Sequence, residues 1–77
     1  MEIIFKKSAN KELTAKSFSL NAFVTEDTTI EAGTHLVLIS QTATLGTVID
    51  ESKPELTYKI SMEDWNNNTT KVDSITI

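Results

Sequence analysis

Three adjacent acidic pairs, Glu26–Asp27, Asp50–Glu51 and Glu63–Asp64, and one histidine, His35, are the side chains in this chain best equipped for chemistry. Paired carboxylates can perform general acid–base catalysis or hold Ca²⁺. Both uses need the carboxylates to converge, whereas adjacent residues on a strand point to opposite faces. There is no Asp-x-Asp-x-Asp run, so the pairs read as solvated turns. With one His and no Cys, no His–His, Cys–His or zinc-binding spacing can form. His35 sits beside Val37 and Ile39 and reads as a strand-edge histidine with a backbone partner. A Gly-x-Ser-x-Gly elbow is absent, and two glycines leave no phosphate-cradling loop. The expectation is therefore a non-enzyme, with no catalytic residue, no cofactor and no metal ligand.

The aromatic set is Phe5, Phe18, Phe23, Tyr58 and Trp65. Trp65, beside Glu63, Asp64 and Asn66, has the surroundings of an indole that stacks on a sugar or anchors a partner. The competing reading folds it over the edge of a small core. Phe23 falls on the polar face of an otherwise alternating segment. Phe23, Trp65, Glu63 and Asp64 are thus the candidate partner-binding residues.

Composition narrows the partners. The net charge is −4, and every basic residue is Lys. Arg supplies the commonest specific contacts to bases and the bidentate contacts to phosphate. Its absence from an acidic chain argues against nucleic acid and anionic membranes. No apolar run approaches the ~18 residues of a membrane span, and the opening MEIIFKK, apolar before basic, is wrongly ordered for a signal peptide. The expected location is the cytoplasm, or a virion if the chain is phage-derived. The 77 residues make one domain, 1–77. A domain of this size buries only about 60% of its unfolded surface, and without cysteine it has no disulfide to add.

The elements follow from period and turn chemistry. Thr34–Ile49 is the longest apolar-rich stretch. It reads as two paired strands, 34–40 and 43–49, joined through a turn near Gln41–Thr42. Gly46, mid-strand, marks a bend. Glu2–Lys7 forms a first strand. Glu12–Thr25 reads as one long strand, bent or split near Lys16–Ser17, with Phe18, Leu20, Ala22 and Val24 on one face. Glu26–Gly33 reads as a connection. Leu56–Met62 alternates strictly, Ser61-x-x-Asp64 has the look of a helix start, and Val72–Ile77 closes the chain. The 56–62 and 72–77 strands are expected to pair around the Trp65 loop. The expected core holds Leu36, Val37, Leu38, Ile39 and Ile60. The fold class is all-β, a small barrel or compact sandwich of about six mostly antiparallel strands, with one short helical turn near residues 62–66.

Ile30–Glu31–Ala32–Gly33–Thr34 resembles a five-residue segment of phage head-decoration proteins, and a turn around Gly33 accounts for the same five residues. The leading expectation is a non-enzymatic interaction or assembly protein with a protein partner, of the kind phages and mobile elements encode. The alternatives are an acidic inhibitor filling a basic site on a nucleic-acid or defence enzyme, and a carbohydrate-binding module using Trp65. Self-association is expected through the terminal strand, with Val72, Ile75 and Ile77 as the edge-strand interface.

Overall fold

A computed structural model describes the backbone of residues 1–19 and 22–77, and the side chains of residues 1–17 and 26–77. The strands are β1 (Glu2–Ala9), β2 (Leu13–Ser19), β3 (Ala22–Ile30), β4 (His35–Gln41), β5 (Leu45–Asp50), β6 (Leu56–Ser61) and β7 (Thr69–Thr76), with one helix, α1 (Met62–Asn67), between the last two. All seven strands belong to one sheet in the order β3-β2-β6-β5-β4-β1-β7, and each strand runs antiparallel to its neighbours. The all-β class stands. The hydrogen-bonded sheet ends at β3 and β7 among the described residues and is not closed into a barrel.

The sheet is nonetheless strongly curled, as its connections require. β1 and β2 lie four positions apart in the strand order, which in a flat sheet is roughly 19 Å at ~4.8 Å per step. The chain from Ala9 to Leu13 spans at most about 15 Å. The β3–β4 connection also crosses four positions with a turn in its path. There Gly33 has φ of 88°, a conformation glycine adopts without strain. That turn is fastened to the end of β1: Gly33 N donates to Ala9 O at 2.8 Å, and Ala9 N donates to Thr34 O at 3.0 Å.

The concave side carries the core. Leu36 lies opposite Asp50 on one side and Lys7 on the other. Val48 lies opposite Leu38 and Tyr58, Ile60 opposite Gly46, and Leu13 opposite Ile30. Leu13, Leu36, Val48 and Ile60 are the largest fully buried side chains, joined by Ala9, Ala15, Ile30 and Trp65. On the other face, one row of opposed residues runs through Asp73, Lys6, Val37, Ile49 and Thr57.

Several sequence expectations change. Glu12–Thr25 is not one strand but the first arm and part of the second arm of a hairpin, β2–β3. Period-two alternation runs through both arms, so it hides the reversal. β3 then continues to Ile30, because Thr28, Thr29 and Ile30 are β-branched and fit a pleated surface. The count is thus seven strands rather than about six. The face expected for Phe18, Leu20, Ala22 and Val24 lies outside the described side chains. Within the expected core, Leu36 and Ile60 are buried and Val37 and Leu38 half-buried, but Ile39 is 52% exposed. The β4–β5 register slips between Leu38 and Ser40 and turns Ile39 out. The pairing of 34–40 with 43–49 stands as β4–β5.

The expected hairpin of 56–62 with 72–77 does not form. β6 is flanked by β2 and β5, and β7 pairs with β1 at the far end of the sheet. The cause is α1. Ser61 caps it, its hydroxyl accepting from Asp64 N at 3.1 Å. Trp65 anchors the helix in the core, and α1 packs against β5, β6 and β7. The chain thereby crosses the sheet instead of turning back on it.

Candidate functional site

The acidic residues marked by sequence have mostly local roles. Asp50 Oδ1 accepts from Ser52 N at 2.9 Å and from Ser52 Oγ at 2.7 Å, closing an Asx turn after β5. Glu51 pairs with Lys6 at 2.5 Å, and this contact raises the Lys6 pKa. Asp64 Oδ1 accepts from Asn68 Nδ2 at 2.7 Å, so it ties the end of α1 to its start. Glu63 is exposed in the first helical turn, where a carboxylate suits the positive end of the helix. Glu26 and Asp27 are exposed on β3, with Asp27 3.6 Å from Lys16. His35 is exposed at the start of β4, its carbonyl accepting from Glu51 N. Among the described residues no three His, Asp or Glu side chains cluster as a metal site.

Trp65 is not a surface platform, which corrects its place among the partner-binding residues. It is 4% exposed and belongs to the core. The helical phase of α1 turns the indole inward, and Lys7 covers it, with Nζ 5.2 Å from the ring centroid and 2.8 Å from Trp65 O. Burial holds the Lys7 pKa below the usual lysine value. A sugar has no indole face to stack on. The Phe23 side chain lies outside the described residues.

The open surface with apolar content is the corner made by β1 and β7. Ile3 lies directly opposite Ile75. Beyond them, Met1 and Ile77 exchange backbone hydrogen bonds at 2.7 Å in both directions. Ile75 is 55% exposed, Ile77 75%, and Ile3, Val72 and Met1 are exposed as well. Among the described residues these five make up most of the exposed large apolar side chains, and the others are Ile39 and Leu45. Sequence reasoning marked Val72, Ile75 and Ile77 but missed Ile3 and Met1, because a pairing between the two ends of the chain leaves no local signal.

β7 does occupy a sheet edge, but that edge is guarded. Its register with β1 slips between Ile4 and Lys6 and again between Lys6 and Lys7. Such slips twist a strand away from a regular ladder. Asp73 Oδ1 accepts from the Ser74 N–H at 2.8 Å. Lys71 stands beside it, 2.8 Å from Glu2. Charges and irregularities of this kind are how proteins blunt edges against further pairing. The corner therefore offers its apolar side chains more readily than its backbone.

No helix is long and apolar enough to cross a membrane among the described residues. No family model, no curated protein and no solved structure matches this chain.

Proposed function

We propose that this chain is a non-catalytic protein-interaction domain that assembles with a second copy through the β1–β7 corner. The observation that carries the reading is the gathering of exposed Met1, Ile3, Ile75 and Ile77 where β1 and β7 end, with Ile3 directly opposite Ile75 and Met1 hydrogen-bonded to Ile77. Isolated exposed apolar residues need no explanation, but a contiguous patch marks an interaction surface. A two-fold contact sets the same patch against itself and closes without growing into fibres. Side chains of this number and exposure offer roughly 400–500 Å² per copy, so a dimer would bury about 800–1,000 Å², below the ~1,200 Å² of stable specific interfaces and in the range of weak, transient ones. The association is accordingly weak and concentration-dependent.

Sedimentation over a range of concentrations tests this. The wild-type chain should pass from monomer to dimer at high micromolar concentration, and Ile75→Lys should abolish the transition while Ile39→Lys leaves it intact. A strict monomer at hundreds of micromolar would overturn the reading.

A further inference from the structure

The two edges of the sheet are not alike. β7 is blunted by register slips, by Lys71 and by the Asp73 carboxylate on the Ser74 N–H. β3 has none of these along Thr25–Ile30. From Leu13↔Ile30 to Phe18↔Thr25 its pairing with β2 runs without a slip. The stretch contains no Lys and no Pro, and β3 has no strand on its outer side among the described residues. An edge left regular is a template for one more strand.

The surroundings of β3 define what that strand would carry. Glu26 and Asp27 are exposed on the edge itself, and Glu31 is exposed just past its end. Asp27 has Lys16 at 3.6 Å, both largely in solvent, and Lys53 lines the same cavity as Glu31. Beside the edge, the curl leaves a cavity of about 260 Å³ between Thr28–Glu31 on one wall and Thr34 and Asp50 on the other, with Lys53 and Tyr58 completing it. A second copy is a poor occupant, because an antiparallel partner would bring Glu26 and Asp27 near their own counterparts, and like charges across strands repel.

We propose that β3 is a docking edge for an extended basic segment of another protein, which adds as an eighth strand along Thr25–Ile30 and sets Lys or Arg side chains on its two faces, one toward the carboxylate of Glu26 and one toward that of Asp27. Backbone hydrogen bonds give such strand addition its affinity, and alternate side chains give it selectivity. Charge complementarity sets the sign of the partner and makes the binding salt-sensitive. This surface is separate from the β1–β7 corner, and its use does not depend on self-association.

The probe is the capped peptide Thr-Lys-Lys-Val-Lys-Lys-Thr carrying a fluorophore, compared with the same peptide N-methylated at alternate residues and with a version in which Glu replaces Lys. Anisotropy gives affinity, and amide chemical shifts with hydrogen exchange give location. The basic peptide should bind saturably, slow exchange on β3, and lose at least tenfold in affinity on N-methylation and again in Glu26→Lys and Asp27→Lys. Ile75→Lys should bind it unchanged, which separates this site from the dimer contact. Trp65 fluorescence verifies that each variant is folded. Absence of saturable binding, equal affinity for the N-methylated peptide, or amide changes on β7 in place of β3 would each overturn the proposal.

Discussion

Lys7 and Trp65, 58 positions apart in the chain, form one unit: the ammonium sits 5.2 Å from the indole centroid and donates to the carbonyl of the same residue at 2.8 Å. Trp65 brings α1 into the core, and Lys7 fixes α1 to β1. Two effects oppose each other here. Partial burial disfavours the charged amine, as its lowered pKa records. A charge-assisted hydrogen bond is worth about 1.5–3 kcal/mol and a cation–π contact about 0.5–1 kcal/mol. Trp65 O keeps a second donor, Thr69 Oγ1, when Lys7 is removed, so the carbonyl is not orphaned. Lys7→Met retains the apolar stem and should destabilise by about 1 kcal/mol, the net of these terms. Urea unfolding followed by Trp65 fluorescence measures it; an unchanged midpoint would show that the contact contributes nothing.

Leu36 and Ile39 test the β4 register. Leu36 is fully buried and Ile39 half in solvent; three positions apart on one strand, they face opposite sides of the sheet. Leu36→Ala should cost about 2–5 kcal/mol, the range for truncating a buried leucine. Ile39→Ala should cost under about 1 kcal/mol, as expected of a surface position. Leu38, partly buried against the core, should fall between. Equal losses at 36 and 39 would mean that Ile39 is packed as deeply as Leu36.

What sequence made legible was local. The alternation of Leu56–Met62, the cap at Ser61, the β4–β5 pair and the exposed apolar character of Ile75 all follow from residues within a few positions of one another. The rest depends on contacts between distant parts of the chain. β1–β7 and β2–β6 bring together segments that no turn connects. The hairpin within Glu12–Thr25 was hidden because Phe18, Leu20, Ala22 and Val24 keep one period-two series across the reversal. Trp65 looked available because its cover, Lys7, lies near the other end of the chain.

Gly46 lies beneath the start of α1. A Cβ there would come within 3.0 Å of Met62 Sδ and 3.2 Å of Leu38 Cδ1. Both neighbours are ends of flexible side chains, so they can give way at modest cost. Gly46→Ala should destabilise by about 1–2 kcal/mol, toward the low end of overpacking. Combined with Leu38→Val, which retracts one of the two contacts, the loss should be smaller than the sum of the single changes. Strict additivity of the two substitutions in urea unfolding would show that the close approach does not exist.

Tyr58 offers a direct reading of the cavity beside β3. It is the only tyrosine in the chain, so phenolate absorbance reports it alone. Its pKa is raised above 10.0, first by burial and then by the charges of Asp50 and Glu55. The folded chain should therefore form phenolate at higher pH than the urea-unfolded chain. Glu55→Gln should lower the folded midpoint while leaving it above 10.0, since burial is the larger cause. Between the unfolded and folded midpoints the native state holds the proton that the unfolded chain has lost, so this group's stabilising contribution falls as pH rises through that window. Lys7 acts in the opposite sense. Its folded pKa lies below 10.5, so the native state releases its proton first and its contribution rises with pH toward that value. Tyr58→Phe removes the falling term and leaves the rising one. Above pH 10 the variant's stability should slope upward relative to the wild type. A folded phenolate midpoint at or below that of the unfolded chain would place the Tyr58 hydroxyl in open solvent and remove it from the cavity wall.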